Sequence, residues 1–282
     1  VRGGMVWKTV SGTDYLIRTS SRGGQKSLGP RSAETERIHA QFVQRKAQAT
    51  TRLRDLKATV DRHERVNRAL RVGRLPTLVV DLPAPLAETG PAPYFRVVGT
   101  HALHAYDTAA GVRLGADVTT TMDIDLLWDT RRRLVFAEQL ARHAPSMLAV
   151  PHRGHKTLAP RPDHRNTAGD SRAFEVDILR REAVDGDPHP IRLSDDEDDF
   201  WVVQARRAGD LMNAPSFSEI VVSQTGRMAR MTTIHPATFV EFKRWMAALP
   251  DRDPIKRRRD LLQAEAVEWL LDEHLLHLRP AR

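Results

Sequence analysis

The chain of 282 residues is long enough to bury the core of one large domain or two modest ones, and it contains no cysteine, which excludes disulfides, thiolate zinc sites and a cysteine nucleophile. Its formal net charge of +8 and pI of about 10.2 favour an acidic partner, and nucleic acid or a nucleotide fits better than a membrane because the basic residues are spread over several segments. No apolar run approaches the length of a membrane span and the first residues lack the apolar core of a signal peptide, so we expect a cytoplasmic protein.

The N-terminal part of the sequence predicts a β-hairpin followed by a long charged helix. Residues 5–18 show the pattern of two paired strands. Residues 20–32 are rich in Gly, Ser and basic residues, and we expect a loop that either holds phosphates with its N–H groups or is a plain surface loop. Ser32 is a predicted N-cap, and the helix that follows to about Gly73 carries a narrow apolar stripe among many basic residues. This helix is either a solvated arm or an arm that follows a nucleic-acid backbone, and residues 1–76 are the expected N-terminal domain.

The rest of the sequence predicts alternating strands and helices and then helices alone, which is typical of an α/β (α+β) fold with a mixed sheet and a helical C-terminal part. The core domain is expected over 77–200 and the helical part over 201–282. Strands are predicted at 94–98, 122–128 and 174–179, helices at 102–110, 130–143, 236–248 and 255–278, and an acidic loop at 186–199.

Two carboxylates stand on one face of a predicted strand. Asp123 and Asp125 are two residues apart, so the period of a strand points both side chains to the same side. Like charges this close repel, and a divalent cation between them relieves the repulsion. Because the candidate ligands are carboxylate oxygens and the chain has no cysteine, we expect Mg²⁺ or Mn²⁺. Asp177 supplies a third carboxylate from a later strand, and Glu175 on the same face leaves open which of the two points at the metal.

A glycine and a hydroxyl residue precede these carboxylates. Gly99 and Thr100 directly follow a predicted strand and open a predicted helix. Glycine lets the backbone approach phosphate oxygens, a hydroxyl can donate to them, and the helix dipole favours an anion at this end. This context favours a nucleotide site over the alternative that Asp123 and Asp125 are merely exposed polar residues of an edge strand.

The order of these motifs resembles the nucleotidyltransferase superfamily typified by DNA polymerase beta. In that superfamily a Gly-Ser pair opens a helix, an Asp-x-Asp follows, and a later strand carries a third Asp. Segments across the chain are also similar to a family of bacterial predicted nucleotidyltransferases, namely 23–29, 99–112, 123–129 and 253–260. The resemblance implies that Asp123 and Asp125 are metal ligands, that Asp177 is the third ligand and a candidate base, and that Gly99 and Thr100 face a triphosphate. Thr100 stands where the superfamily usually has serine, which keeps a hydroxyl.

The last predicted helix opens with four basic residues, 256–259. Cations near a helix N-terminus oppose its dipole unless an anion is close. Some abortive-infection-type nucleotidyltransferases have a similar basic helix that grips the triphosphate, so the resemblance implies that Lys256 or Arg259 contacts phosphate; a solvated basic face is the alternative. It also implies a role in a toxin–antitoxin or phage-defence system, with an antitoxin as a candidate partner protein.

These features predict a Mg²⁺-dependent enzyme that moves a nucleoside monophosphate from an NTP, such as ATP, to a hydroxyl of RNA, with a tRNA end as one candidate. Transfer of AMP to a protein is the second candidate. A non-catalytic nucleic-acid-binding module is less consistent with three retained carboxylates, and a metal-dependent nuclease does not account for Gly99 and Thr100. The nucleotide, the acceptor and the oligomeric state stay open.

Overall fold

A computed structural model of the chain describes residues 3–20, 23–81, 94–132, 136, 138, 159–161, 164–169, 174–183 and 201–280. Contacts divide the chain into two compact units, one ending at Arg65 and one beginning at Val66. The domain limits expected from the sequence, 76 and 200, stay predictions. Among the described residues, no helix is both long and apolar enough to cross a membrane.

The first unit contains a three-stranded antiparallel sheet and the greater part of a long helix. The strands are β1 (Gly4–Val10), β2 (Thr13–Thr19) and β3 (Gln25–Pro30), in that order across the sheet, and the helix is α1 (Ala33–Ala69). The predicted hairpin is therefore confirmed. The prediction of a loop over 20–32 is wrong for residues 25–30, because pairing with β2 overrides the low strand propensity of the Gly- and Ser-containing β3.

Helix α1 begins as the sequence predicts. The backbone N–H of Thr35 donates to Oγ of Ser32 (3.3 Å), and the N–H of Ser32 donates to Oγ1 of Thr35 (2.8 Å), so two N–H groups that the first turn leaves unpaired are satisfied. The sheet packs on the first turns of α1, where the ring of Trp7 lies 5.7 Å from that of His39. Further along, every residue of α1 from Thr50 to His63 is exposed.

The second unit is built around a mixed sheet. Its strands are β4 (Phe95–Val98), β5 (Asp123–Trp128), β6 (Ala159–Arg161), β7 (His164–Gly169), β8 (Glu175–Arg180) and β9 (Val203–Gln204). The order across the sheet is β4-β5-β8-β7-β6, and β9 pairs with the end of β8. Strands β5 and β8 are parallel neighbours, while β4 is antiparallel to β5.

Helices and a hairpin complete the second unit. The α-helices are α2 (Thr77–Asp81), α3 (Leu103–Ala110), α4 (Ala116–Thr119), α5 (Ala208–Asn213), α6 (Pro236–Ala248) and α7 (Pro254–Glu273), with 3₁₀ turns at Gly99–Ala102, Thr130–Arg132 and Leu276–Leu278. The hairpin consists of β10 (Ser216–Val222) and β11 (Met228–Ile234), which pair antiparallel. The sequence did not predict β10 and β11. Of the predicted helix 130–143, residues 130–132 form a 3₁₀ turn and most of the rest lies outside the described residues, as does the predicted acidic loop 186–199.

Alternation along β5 divides its side chains between two hydrophobic clusters. Ile124, Leu126 and Trp128 belong to one cluster, on one face of the sheet, together with residues of β4 and β8. Leu127 belongs to the other, on the face that α3, α6 and α7 cover. Asp123 and Asp125 share the face of Leu127. On this face, the helices therefore cover the last part of β5, and the first part of β5 carries the two carboxylates.

Candidate active site

The three predicted carboxylates line one cleft of about 470 Å³, a size that suits a nucleotide. Asp125 lies directly beside Asp177 in the register of the parallel strands β5 and β8, and Asp123 lies beside Glu175. Paired residues of neighbouring strands point to the same face. Asp123, Asp125 and Asp177 line the cleft, whereas Glu175 is not among its described lining residues.

Burial and neighbouring charge perturb the carboxyl group of Asp125. Burial raises the pKa of Asp125 to about 6, and the charges of Asp177 and Asp123 act in the same direction. The cations Lys243 and Arg259 oppose this rise. The cleft therefore concentrates negative charge in a partly desolvated place, with cationic side chains facing it.

Gly99 makes room for Asp125. Its backbone is left-handed (φ +67°), and a Cβ atom at this position would lie 2.3 Å from Oδ2 of Asp125. Any side chain here would both strain the backbone and displace that carboxylate. Gly99 lines the cleft together with Asp125, and its contact with a triphosphate stays a prediction.

Thr100 is held by a buried glutamine of α7. Nε2 of Gln263 donates to Oγ1 of Thr100 (3.1 Å) and to the carbonyl oxygen of Val118 (2.7 Å), and Gln263 is fully buried. Because the Thr100 hydroxyl accepts this hydrogen bond, it keeps its own proton for donation. Thr100 lines the cleft, so its hydroxyl is fixed at a wall where a phosphate oxygen could accept that proton.

The cleft also has a cationic part, which is organised by a buried carboxylate. Asp260 of α7 is fully buried and accepts from Nζ of Lys243 in α6 (2.8 Å) and from Nε of Arg252 (2.8 Å). Lys243 is itself buried, and burial lowers its pKa while Asp260 acts to raise it. Both cations line the cleft, so Asp260 fixes two positive charges in the cleft that Asp125 lines.

Three further cations line the same cleft. Lys256 and Arg259, the two that the sequence analysis named, both do so from the first turns of α7. That helix is capped by Asp253, whose Oδ1 accepts from the N–H groups of Ile255 and Lys256 at 3.0 Å each. Arg206 also lines the cleft and pairs with Asp251 (3.2 Å).

Donor type and charge suit a divalent metal, although the described residues form no closed ligand cage. Among the residues that the structure describes, no group of three or more His, Asp or Glu side chains is arranged to hold a metal ion. Mg²⁺ in phosphate-transfer sites commonly takes one or two carboxylates and completes its coordination with water and substrate phosphates. The mutual repulsion of Asp123, Asp125 and Asp177 is what such a cation would relieve, so the residues present fit it.

Lys243, Arg252, Arg206 and Gln263 were missed in the sequence. For Lys243 a signal exists, because the buried positions of α6 are 236, 239, 240, 243 and 247, and a lysine within that apolar spacing needs a partner. Gln263 gives the same kind of signal, because it is a polar residue among the buried positions of α7. Arg206 and Arg252 lie in irregular segments next to helices. In such segments the sequence spacing does not predict which way a side chain points.

A comparison with family models matches residues 78–281 to a family described as nucleotidyltransferase. The match covers well over half of the chain and includes every residue that lines the cleft. It leaves β1, β2, β3 and α1 outside. No curated protein and no solved structure matches the chain.

Proposed function

This chain belongs to the nucleotidyltransferase family, and from that premise we propose that it transfers a nucleoside monophosphate from an NTP to a hydroxyl group of RNA in a metal-dependent reaction. One observation carries the proposal: three carboxylates and several cations line a single cleft of nucleotide size. Carboxylates opposite cations are the arrangement that nucleotidyl transfer needs, because the reaction moves charge between phosphate oxygens.

The proposed reaction is an in-line displacement at the α-phosphorus. The hydroxyl oxygen of the acceptor forms a bond to this phosphorus, the bond to the bridging oxygen of the β-phosphate breaks, and pyrophosphate leaves with the electron pair. The proton of the acceptor hydroxyl passes to a carboxylate, for which Asp177 is the candidate. Mg²⁺ or Mn²⁺, held by Asp123, Asp125 and Asp177, would neutralise charge on the phosphate oxygens and lower the barrier to attack.

The remaining residues of the cleft are proposed to bind the triphosphate. The Gly99 backbone and the Thr100 hydroxyl would contact it from one wall, and Lys243, Lys256 and Arg259 from the other. Lys243 is already held by its hydrogen bond to Asp260, so it loses little freedom when the anion arrives and its contact serves the reaction at low entropic cost.

The acceptor is assigned to RNA because the chain carries a net charge of +8, which attracts a polyanion. A tRNA end is the RNA that we expect first. A role as a toxin or defence enzyme, controlled by an antitoxin protein, is part of the same proposal. Transfer of AMP to a protein hydroxyl would use the same cleft and is the competing outcome.

The test incubates the purified chain with Mg²⁺, each α-³²P-labelled NTP and total RNA, with a lane that lacks RNA. Asp125→Asn should abolish labelling, whereas Glu241→Gln, an exposed carboxylate of α6 outside the cleft lining, should leave labelling unchanged. Label in RNA that depends on Asp125 supports the proposal. Label in protein would replace RNA with a polypeptide acceptor, and labelling that survives Asp125→Asn would remove the carboxylate cleft as the active site.

A further inference from the structure

An exposed stretch of α1 is unusual for a helix of its length. From Thr50 to His63 every residue is exposed, so this section gains little stability from tertiary burial. Isolated helices of about 12–15 residues are marginal in water, and packing of an amphipathic face normally supplies their stability. A section of this kind gains most from a partner that covers one of its faces.

The exposed stretch carries an apolar stripe on one face. Leu53, Leu56 and Val60 are 55%, 54% and 44% exposed and follow the spacing of three and four residues that places side chains on the same side of a helix. Ala49 precedes them on that side. This spacing is that of the a and d positions of a heptad, where a second helix inserts its own side chains. Contiguous exposed apolar side chains mark interaction sites more often than isolated ones do.

Basic residues flank the stripe. At the e and g positions next to it stand Arg45, Arg52 and Lys57, and the remaining two flanking positions between 45 and 60 are Thr50 and Thr59. Those positions carry no acidic residue. The e and g residues determine which helix pairs with which, because they form ion pairs with the flanking residues of the partner helix.

We propose that the Leu53–Leu56–Val60 stripe docks an amphipathic helix of a partner protein whose own apolar seam is flanked by acidic residues. A second copy of this chain fits less well, since a parallel pair would set Arg52 of one copy beside Lys57 of the other. RNA would be attracted by Arg52 and Lys57 but gives the exposed leucines no apolar surface to bury. The site lies outside the residues matched to the family and does not rest on the proposed reaction.

The test measures binding of a fluorescent three-heptad peptide, with Leu at a and d and Glu at e and g, to the full chain by anisotropy. We expect binding that weakens about tenfold or more in Leu53→Ser/Leu56→Ser, because two buried leucines are lost. The matched control is Thr51→Ser/Ala58→Ser, which alters two exposed residues on the face of α1 opposite the stripe and should leave binding unchanged. A peptide with Lys at e and g should bind much more weakly.

Circular dichroism checks that each variant keeps its helix, and nucleotidyl transfer should be unaffected in both. The proposal is overturned if the Glu peptide does not bind at about 1 mM, a concentration at which even a weak pair registers, or if the Lys peptide binds equally well. It is also overturned if light scattering shows a dimer of the chain that Leu53→Ser/Leu56→Ser dissociates. Binding of a single-stranded RNA that Arg52→Glu/Lys57→Glu abolishes, with no peptide binding, would assign the surface to nucleic acid instead.

Discussion

Gly99 and Asp125 occupy adjoining parts of one small space, and the carboxylate fills the volume where a side chain of residue 99 would lie. The sequence predicted that Gly99 lies near the triphosphate, from its place between a strand and a helix. It could not predict that the same glycine makes room for the carboxylate, because this depends on the register of β4 against β5, which pairs Val98 with Asp125. The facing of Asp125 itself was predictable, since period-two spacing alone sets the face of a strand residue.

Gly99→Ala should abolish nucleotidyl transfer, while Gly111→Ala should keep it. Both glycines are left-handed, with φ +67° and +68°, so both variants should lose about 1–2 kcal/mol of stability from backbone strain. A Cβ at Gly111 meets nothing within 4 Å, whereas one at Gly99 meets Asp125. Thermal unfolding and transfer assays of both variants check this. Equal activity in the two would show that the close approach to Asp125 does not matter for the reaction.

Helices α6 and α7 are tied together by the buried pair of Lys243 and Asp260. A buried ion pair adds little net stability, because desolvation opposes the attraction, but it is costly to break since one charge is then left without its partner. Arg252 still pairs with Asp260 at 2.7 Å, which limits that cost. The pair thus fixes where Lys243 stands in the cleft more than it stabilises the fold.

Lys243→Met should lower stability by about 3 kcal/mol and raise the KM for NTP, because Asp260 loses a buried partner and the cleft loses a fixed cation. The control is Arg244→Met on the same helix, which breaks the exposed pair with Glu268 and should cost about 0.5 kcal/mol or less. Urea unfolding and steady-state kinetics measure both effects. Similar stability losses in the two variants would contradict the special role of the buried pair.

Strands with strong periodicity were predictable, and those defined by pairing alone were not. The strand at 122–128 and the strand at 174–179 match β5 and β8 because buried aliphatic residues alternate with carboxylates. Strand β3 has no such alternation and exists through its pairing with β2. The hairpin of β10 and β11 shows a weak pattern of mixed Ser, Thr and Met, so residues 201–282 were expected to be mostly helical.

At the scale of the whole molecule, two buried histidines make the fold sensitive to acid. Burial lowers the pKa of His101 to about 3, with a smaller contribution from His104, and burial lowers that of His104 to about 4, with Arg74 acting in the same direction. Unfolded histidine has a pKa of about 6.5. The folded state therefore binds fewer protons than the unfolded state below that value, and stability is full above about pH 6.5 and is lost as the pH falls toward the folded pKa values.

His101→Leu should flatten the dependence of stability on pH between about 6.5 and 4, where each buried histidine costs roughly 3 kcal/mol on acidification. Neither ring nitrogen of His101 has a hydrogen-bond partner among the described residues, so leucine removes a desolvated polar group without leaving another unpaired. Melting temperatures from pH 4 to 8 measure the effect. His63→Leu, an exposed histidine of α1, should leave the curve of the parent protein unchanged. An unchanged curve in His101→Leu would assign the acid sensitivity to other groups.

Strand β5 has one buried face and one acidic face. Its function therefore depends on the register in which it pairs as well as on the identity of its residues. Insertion or deletion of one residue that shifts the pairing would turn Ile124 and Leu126 toward the cleft and drive Asp123 and Asp125 into the hydrophobic cluster. Substitutions can be absorbed one at a time, but a change of length in this segment alters the core and the cleft together. A shift of two residues would restore the two faces, but it would still move Asp125 away from its place beside Asp177.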